Sequence, residues 1–440
     1  MRNLSAGFGI GLAMLALGVS PAWAGEWAHW RGPERNDLSP EPSGWSEADA
    51  ANWLAAEPAW RIEVGAGASA PIVAGGKLYA IGWADDRDTV RCLDAATGAS
   101  IWEQGYAAPE YGRQSTGDKG FYRGATATPE FDAESGLLFT LSCDGALNAW
   151  DTRGGGGNVW ALNLHERFGI PRRPQITKRK NTLRDYGYTT APLVWGDWIV
   201  VEAGDPERGC LMAFDKRKGG DPVWTSENRD PAGHSGGLAP MTVEGVPCVA
   251  VATSWNALVV RLDGANAGKT VAEFEWKTDF SNTVAGVTVS GSDLLIASRY
   301  NQMAMARVAV SLKGGAREVW RNRYPTGVCA PLVHEGRIYF ANKGVHCVDF
   351  ASGDLVWEGG KIGDAGSCLM TSDSRLIVWG NAGDLSLVEG AGRSPDRCHV
   401  LAERIGVFKD MAWPHVVLAD GRIYCKSLKG DLACFAIGSR

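Results

Sequence analysis

The sequence predicts an all-β protein, an eight-bladed β-propeller of four-stranded antiparallel blades that is closed by an N-terminal strand. Three observations support this prediction. A segment with an acidic turn and a trailing tryptophan recurs along the 440 residues, 57 glycines can supply tight turns, and 19 tryptophans can supply bulky core side chains. A unit of four short strands that repeats every roughly 40–50 residues is typical of a propeller blade.

The repeated segment is clearest at LDAATGASIW, which ends at Trp102. Related segments end at Trp160, Trp224, Trp276, Trp320 and Trp357. Two β-rich runs joined by a short polar turn favour a hairpin, so we interpret each segment as the third and fourth strands of a blade. The tryptophan is expected to fill the space between neighbouring blades, which is an architectural role and not a catalytic one.

A second marker places the first strand of each blade. A small residue followed by proline precedes an apolar run at Ala70-Pro71, Thr128-Pro129, Ala191-Pro192, Ala239-Pro240 and Ala330-Pro331. Less regular starts are placed at Ala285-Gly286, Leu369-Met370 and Trp413-Pro414, so the eight starts lie 39 to 63 residues apart. Tight turns ending in glycine then separate the following strands. Eight matched units favour a propeller over a pair of β-sandwiches.

The last unit lacks a fourth strand with its tryptophan. The segment PAWRIEVG, residues 58–65, is predicted to supply it through Trp60. Pairing the two ends of the chain in one blade leaves no open sheet edge. We therefore assign residues 58–440 to the propeller and residues 25–57 to an N-terminal arm. The seventh unit has no tryptophan in its fourth strand and is expected to be the most weakly packed.

Residues 1–24 are predicted to be a secretory signal peptide. Arg2 precedes an apolar run at residues 6–19, and Ala22-Trp23-Ala24 offers small residues for cleavage. This run is shorter than the ~20 residues that span a bilayer, and no cysteine for a lipid anchor follows it. We expect a periplasmic or secreted monomer without a membrane span. The formal net charge of −6 argues against a nucleic-acid partner.

The candidate binding residues lie where a propeller usually carries function, at one mouth of its central channel. They precede innermost strands or occupy loops between second and third strands. The predicted ligand- or partner-binding residues are Arg123, Tyr186, Tyr188, His234, Trp255, Asn256, Arg299, Tyr300, Asn301 and Trp413. Asn282 is expected to ring the same channel. Such side chains suit sugars, peptides or aromatic ligands, and they also suit ordinary channel filling.

Two long loops between blades are expected on the same rim as these residues. The second, which follows His165, carries a basic cluster from Arg167 to Arg184. Long loops in compact folds are often functional. This cluster is interpreted either as a contact for an anion or acidic partner, or as a solvated loop.

The segment CLDAATGASIW resembles the repeat of pyrroloquinoline-quinone-like propellers, through its Leu-Asp, its Thr-Gly and its trailing tryptophan. The segment WAHWRGPERNDLSPE at residues 27–41 resembles the opening of a group of secreted bacterial propellers in the BamB-like superfamily. The resemblance spans essentially the whole mature chain. It implies the propeller fold and a place in the cell envelope, and it fits either a scaffold or a quinone-dependent oxidoreductase.

Several features separate the chain from the quinone enzymes of that superfamily. Those enzymes typically carry adjacent cysteines and a calcium site, whereas no two of the ten cysteines here are neighbours. The seven histidines show no metal-binding spacing, so we predict no metal. We also predict no catalytic residue and no cofactor, with pyrroloquinoline quinone as the alternative that the residues do not support. The predicted function is an exported, non-catalytic scaffold or recognition module for a protein, polysaccharide or small ligand of the envelope. The alternative is a quinone-dependent oxidoreductase or a carbohydrate-active enzyme.

One disulfide is a candidate within the last blade. A two-residue turn at Lys429-Gly430 would place Cys425 opposite Cys434 on paired strands. Residues directly opposite each other in an antiparallel pair lie close enough for a disulfide. The alternative is two buried free thiols.

Overall fold

The computed structural model describes residues 25–109, 124–170, 187–278, 281–363, 366–380 and 383–438. Within these ranges the strands form eight four-stranded antiparallel sheets, which confirms the predicted all-β, eight-bladed propeller. The helical elements are short: α1 spans Leu164–Phe168, and two 3₁₀ turns span Glu47–Asn52 and Gly264–Asn266. The predicted signal peptide lies outside the described residues.

The strands follow one another blade by blade, from the innermost strand to the outermost. The N-terminal strand is β1 (Trp60–Glu63). Blade 1 contains β2 (Ile72–Ala74), β3 (Lys77–Ala84), β4 (Arg87–Asp94) and β5 (Ser100–Ala107). Blade 2 contains β6 (Glu130–Asp132), β7 (Leu137–Leu141), β8 (Ala146–Asp151) and β9 (Gly157–Asn163). Blade 3 contains β10 (Leu193–Trp195), β11 (Trp198–Asp205), β12 (Gly209–Asp215) and β13 (Gly219–Thr225). Blade 4 contains β14 (Ala239–Val243), β15 (Val246–Ala252), β16 (Asn256–Arg261) and β17 (Thr270–Glu275).

The second half of the ring repeats this order. Blade 5 contains β18 (Val287–Ser290), β19 (Asp293–Ser298), β20 (Ala304–Ser311) and β21 (Gly315–Asn322). Blade 6 contains β22 (Leu332–His334), β23 (Arg337–Ala341), β24 (Val345–Asp349) and β25 (Leu355–Gly359). Blade 7 contains β26 (Gly366–Met370), β27 (Arg375–Gly380), β28 (Leu385–Glu389) and β29 (Val400–Arg404). Blade 8 contains β30 (Val417–Ala419), β31 (Arg422–Lys426) and β32 (Asp431–Ala436).

The N-terminal strand completes blade 8 as predicted. Strand β1 pairs antiparallel with β32, and Trp60 lies opposite Cys434. On the next strand Tyr424 lies opposite the same cysteine. Blade 1 repeats this row of tyrosine, cysteine and tryptophan with Tyr79, Cys92 and Trp102. Trp60 therefore occupies in blade 8 the position that Trp102 occupies in blade 1.

In several blades the trailing tryptophan donates a hydrogen bond to the next blade. The indole N–H of Trp60 donates to the Ala95 carbonyl at 3.2 Å, and that of Trp320 donates to the Phe350 carbonyl at 3.0 Å. The Trp60 ring also lies against Gly98, where an added Cβ would be 2.7 Å from the ring and φ is +73°. Gly98 is required for both reasons, because a side chain would strain the turn and collide with the indole.

A β-bulge precedes several of these tryptophans. The pairing shifts between Cys92–Trp102 and Leu93–Ser100, which leaves Ile101 unpaired, and Val319 is left unpaired in the same way in blade 5. Ile101 and Val319 are among the exposed large apolar residues. Bulges twist an edge strand and discourage pairing with another chain, so these exposed side chains belong to protected outer edges.

In blade 7 the predicted start of the innermost strand is wrong. Its innermost strand covers Gly366–Met370, so Leu369-Met370 lies at the end of this strand and not before it. The physical reason is that no proline marks the start here, and the apolar SCLM run is itself the strand. The fourth strand, Val400–Arg404, contains no tryptophan, in agreement with the sequence.

The predicted pairing of Cys425 with Cys434 is wrong. Cys425 lies opposite Ala433, and Cys434 lies opposite Tyr424. The turn has three residues, because the Ser427 N–H donates to the Asp431 carbonyl at 2.8 Å, and this shifts the register by one. A shift of one residue turns the two side chains to opposite faces of the sheet. Both cysteines are free and buried.

Candidate functional site

The N-terminal arm lies inside the central channel. The Trp27 N–H donates to the Val73 carbonyl of blade 1 at 2.8 Å, and the Ser39 N–H donates to the Met370 carbonyl of blade 7 at 2.7 Å. Both acceptors belong to innermost strands. The arm leaves the channel beside the first turn of blade 8, where the Glu41 carboxylate accepts the Asp420 and Gly421 N–H groups at 2.8 and 2.7 Å. Residues 27–39 therefore fill the channel from the face that carries the first turns.

Arg31 fixes the arm to the opposite side of the ring. Its guanidinium donates to Asp37 at 2.5 Å, to the Thr288 hydroxyl of blade 5 at 2.8 Å and to the Pro331 carbonyl beside blade 6 at 2.6 Å. The side chain is 1% exposed. A buried charge is tolerated when it is paired and its donors are satisfied, and these three partners meet that need.

Glu130 of blade 2 contacts two further basic residues of the arm. Its carboxylate accepts from Arg35 at 2.9 Å, contacts His29 Nδ1 at 3.0 Å and accepts the Val194 N–H of blade 3 at 3.1 Å. Burial alone would raise the pKa of Glu130, but Arg35 and His29 outweigh it and lower the pKa to about 2. This end of the channel is closed by buried groups that satisfy one another.

A cavity of about 220 Å³ occupies the other end of the channel, and Trp30 forms its floor. Gly236 and Gly237 make room for this floor, because a Cβ on either would fall 2.7 or 2.3 Å from the Trp30 ring. The lining comes from several blades and from the arm. The lining residues are Trp30, Ala68, Thr126, Thr128, His234, Gly236, Asn282, Val284, Arg299, Tyr300, Val328, Met411, Trp413 and His415.

Four of the predicted site residues meet at this cavity. His234 and Trp413 reach it from loops that precede innermost strands, and Arg299 and Tyr300 reach it from the turn between β19 and β20. The Arg299 guanidinium lies 5.6 Å from the centre of the Tyr300 ring. Because loops that enter a blade and turns between second and third strands emerge on one face, these residues mark the open mouth.

Trp255, Asn256 and Asn301 lie in neighbouring turns of the same face and outside the lining. Trp255 is 38% exposed. The Asn256 amide donates to Asp230 at 2.8 Å, which gives it a structural partner. Asn301 adopts a positive φ of 59°, as asparagine does in tight turns.

Tyr188 lies in the core and not in the cavity lining. It is 5% exposed, and its hydroxyl donates to the Ala203 carbonyl at 3.0 Å. Its ring centre lies 5.0 Å from that of His165. Arg123, Tyr186 and most of the basic loop lie outside the described residues. Arg167, at the start of that loop, pairs with Asp221 at 2.7 Å.

Sequence reasoning missed Trp30 and His415. Their rings are neighbours, with centres 6.1 Å apart. Trp30 belongs to the Trp-Arg-Gly-Pro segment that the sequence singled out, but no pattern showed that this segment enters the channel. His415 follows Trp413 by two residues, so the predicted mouth position of Trp413 could have drawn attention to it.

Two buried polar groups of the cavity are not used by the fold. Asn282 is 4% exposed and Trp30 is 3% exposed. The Asn282 backbone is bonded to Thr278 and Ser298, but its side-chain amide makes no hydrogen bond with any described residue, and neither does the Trp30 indole N–H. Both residues line the cavity, so these two groups are available to a ligand.

Among the described residues, the cavity lining contains Arg299 and two histidines and contains no aspartate or glutamate. The Nδ1 of His415 lies 3.8 Å from the Asp37 carboxylate of the arm. No group of three or more His, Cys, Asp or Glu side chains in the described part of the chain could hold a metal ion.

A second buried glutamate lies behind the mouth. Glu202 accepts the Gly233 N–H at 2.9 Å and a hydrogen bond from the Thr190 hydroxyl. Burial raises the pKa of Glu202 to about 8, and the nearby Asp230 contributes in the same direction. Glu202 is therefore largely protonated at neutral pH, unlike Glu130.

A protein-family model decides the family. The model described as "Outer membrane protein assembly factor BamB" matches residues 86–359 and, in a second overlapping match, residues 255–439. The chain belongs to this family. A comparison of this BamB-family chain with curated protein sequences finds no match.

Solved structures with this fold include a BamB protein and two dehydrogenases. BamB from Moraxella catarrhalis aligns with a TM-score of 0.57 and 13% identity, over 87% of this chain and all of that one. A europium-containing methanol dehydrogenase aligns with a TM-score of 0.64 and 13% identity, over 94% and 98% of the two chains. The quinohemoprotein alcohol dehydrogenase from Comamonas testosteroni aligns with a TM-score of 0.63 and 14% identity, over 94% and 81%. At such identities the likeness establishes the fold, which hosts unrelated functions.

The described helices of this BamB-family chain are short. Among the described residues, no helix combines the length and the apolar character that a crossing needs.

Proposed function

We propose that this BamB-family protein is a non-catalytic binding module of the cell envelope, which acts as a monomer and engages a protein or polysaccharide partner at the cavity mouth. The carrying observation is the contrast between the two ends of the channel. The arm closes one end with buried ion pairs, whereas the other end is an open cavity lined by Trp30, Arg299 and Tyr300, among other residues.

The family supports the location and the kind of activity. The matching family is described as an outer membrane protein assembly factor, and BamB of Moraxella catarrhalis shares the fold. A binding role in the envelope agrees with the signal peptide predicted for residues 1–24. Binding energy at interfaces is concentrated in tryptophan, tyrosine and arginine, which are the side chains that Trp30, Tyr300 and Arg299 bring to the cavity.

Binding of the labelled protein to isolated cell envelopes tests this proposal. Arg299→Ala and Tyr300→Ala should each weaken binding at least about fivefold, the loss expected for a contact worth more than ~1 kcal/mol. The matched control is Arg317→Ala in the same blade, because Arg317 is exposed near the start of β21, toward the opposite face. Binding that survives both mouth variants and is lost in Arg317→Ala contradicts the proposal.

A quinone-dependent oxidoreductase is the rival function, because two of the structural neighbours are alcohol-oxidising enzymes. Calcium prefers several oxygen ligands, carboxylates among them, and the described lining supplies no carboxylate. We therefore expect pyrroloquinoline quinone with calcium to leave the melting temperature unchanged. A clear upward shift together with a bound-quinone absorbance band would favour the enzyme.

A further inference from the structure

We propose that Cys329 and Cys368 form a disulfide that joins blade 6 to blade 7 and thereby fixes the arm in the channel. Such a bond is a covalent modification of the ring, and it goes beyond the binding role proposed for the mouth. Three observations carry it: the contact between the two sulfur atoms, the place of both residues in the channel wall, and the contacts of the same two segments with the arm.

The two sulfur atoms are already in contact. Cys329 Sγ lies 3.8 Å from Cys368 Sγ, although the residues are 39 positions apart in the chain. Sulfur atoms in a disulfide are roughly 2.05 Å apart, so each Sγ has to move by less than about 1 Å. Rotation about the Cα–Cβ bond moves each Sγ while the backbone stays in place.

Both cysteines belong to the channel wall, in neighbouring blades. Cys329 lies three residues before β22, the innermost strand of blade 6, and Cys368 lies within β26, the innermost strand of blade 7. Both are buried free thiols, with exposures of 0% and 2%. A bond between them would close a loop that contains all four strands of blade 6.

The thiol hydrogens contribute little to the fold. The Cys329 S–H can donate to the Ala330 carbonyl at 3.5 Å, but a thiol is a weak donor. The Ala341 N–H donates to Cys329 Sγ at 3.4 Å, and a disulfide sulfur keeps the lone pairs that accept it. Oxidation therefore removes only weak donors.

The two segments that carry these cysteines also hold the arm. On the side of blade 6, the Arg31 guanidinium donates to the Pro331 carbonyl at 2.6 Å, two residues beyond the first cysteine. On the side of blade 7, the Met370 N–H donates to the Asp37 carbonyl at 2.8 Å, two residues beyond the second. A disulfide would keep these two holding points at a fixed separation, which should slow the release of the arm.

The bond forms by thiol–disulfide exchange with an external disulfide. The two thiols lose two protons and two electrons as their S–S bond forms, and the oxidant gains both as its own S–S bond breaks into two thiols. Exchange requires an accessible thiolate, whereas the contact with Cys329 and burial raise the pKa of Cys368 well above its usual value. Oxidation therefore takes place before blades 6 and 7 close, in an oxidising compartment such as the bacterial periplasm.

Disulfide mapping of the full chain tests the inference independently of where the protein resides. The reduced, unfolded chain is refolded with reduced and oxidised glutathione, unfolded again with iodoacetamide and digested without a reductant. Protein isolated from cell envelopes is mapped in the same way. A pair of peptides joined through Cys329 and Cys368 is expected. Alkylation of both residues, capping by glutathione, or a bond from either one to another cysteine overturns the inference.

Melting of the oxidised and the reduced protein measures the effect of the bond. The oxidised form should melt at least about 3 °C higher, because a disulfide that closes a loop of about 40 residues restricts the unfolded chain. Cys329→Ala should abolish this difference. The matched control Cys347→Ala should keep it, because Cys347 is equally buried in blade 6. A difference that persists in Cys329→Ala, or that is lost only in Cys347→Ala, contradicts the assignment.

Hydrogen exchange separates a general gain in stability from an effect on the arm. A peptide covering residues 26–39 should exchange more slowly in the oxidised form than in the reduced form. The comparison peptide is strand β13 of blade 3, on the far side of the ring, which should exchange equally in both forms. Equal exchange of the arm in the two forms would show that the disulfide does not fix it.

Discussion

The two ends of the channel bury the same kind of side chain in opposite ways. At the plugged end Glu130 is ionised between Arg35 and His29, and its pKa is lowered to about 2. Behind the open mouth Glu202 is held by Thr190 and Gly233, no cation of the described residues is in contact with it, and its pKa is raised to about 8. The first arrangement fixes the arm, whereas the second leaves a neutral acid beside the mouth.

Breaking the plug should have the largest effect on stability. Glu130→Gln leaves the Arg35 guanidinium buried without its counter-charge, and removing one partner of a buried ion pair costs about 3–5 kcal/mol. Denaturant unfolding at pH 7 measures this loss. The control is Glu103→Gln, because Glu103 forms an exposed pair with Arg91 and exposed pairs contribute about 0–1 kcal/mol. Equal stability of the two variants would contradict a buried plug.

The second prediction concerns the opposite pH responses of the two glutamates. The folded pKa of Glu202 lies above the unfolded value of about 4.3, so its contribution to stability is complete below that pH and is lost as the pH rises through 8. The parent protein should therefore lose on the order of a few kcal/mol of unfolding free energy between pH 5 and pH 9 through this group, and Glu202→Gln should not show this loss. Denaturant unfolding at pH 5 and at pH 9 measures it.

Glu130 supplies the internal comparison for this measurement. Its folded pKa is lowered, so its contribution is present above about pH 4.3 and is lost as the pH falls toward 2. Besides its loss of stability at pH 7, the Glu130→Gln variant should therefore lose less further stability than the parent as the pH falls from about 4.3 toward 2. If Glu202→Gln left the slope between pH 5 and pH 9 unchanged, Glu202 would not be neutral in the folded protein.

The smallest expected effect on stability distinguishes the buried Tyr188 from Tyr300 at the mouth. Tyr188→Phe removes one buried hydrogen bond to Ala203, so stability should fall by about 0.5–1.5 kcal/mol while binding to envelopes stays unchanged. Tyr300→Phe should leave stability within about 0.5 kcal/mol of the parent, as surface substitutions usually do. Thermal melting measures the stability of both variants, and the envelope assay measures their binding. Reduced envelope binding by Tyr188→Phe would place Tyr188 at the mouth after all.

The repeat was readable from the sequence because its markers act locally. The glycine of the Thr-Gly turn and the trailing tryptophan each reflect a contact that recurs in the ring, as Gly98 and Trp60 show. The closing strand could be predicted for the same reason, since Trp60 supplies the missing member of the pattern. Blade 7 has neither the proline marker nor the tryptophan, and there the strand start was misplaced.

The rest depended on contacts that no local pattern encodes. The path of the arm is set by pairs far apart in sequence, such as Arg31 with Thr288 and Arg35 with Glu130, so Trp30 could not be assigned to the cavity floor. Tyr188 precedes an innermost strand like the lining residues, but its side chain turns into the core. The Cys425 register failed because one extra turn residue at Leu428–Gly430 reverses the faces of the strand.

Hydrogen exchange across the arm tests the central claim most directly, because the claim requires the arm to fill one end of the channel. The amides of Trp27, Asp37 and Ser39 donate to carbonyls inside the channel at 2.7–2.8 Å. A peptide covering residues 26–39 should therefore be protected to the same degree as one covering the innermost strand at residues 71–75. Exchange of the arm at the rate of an exposed loop, while the inner strand stays protected, would contradict the account.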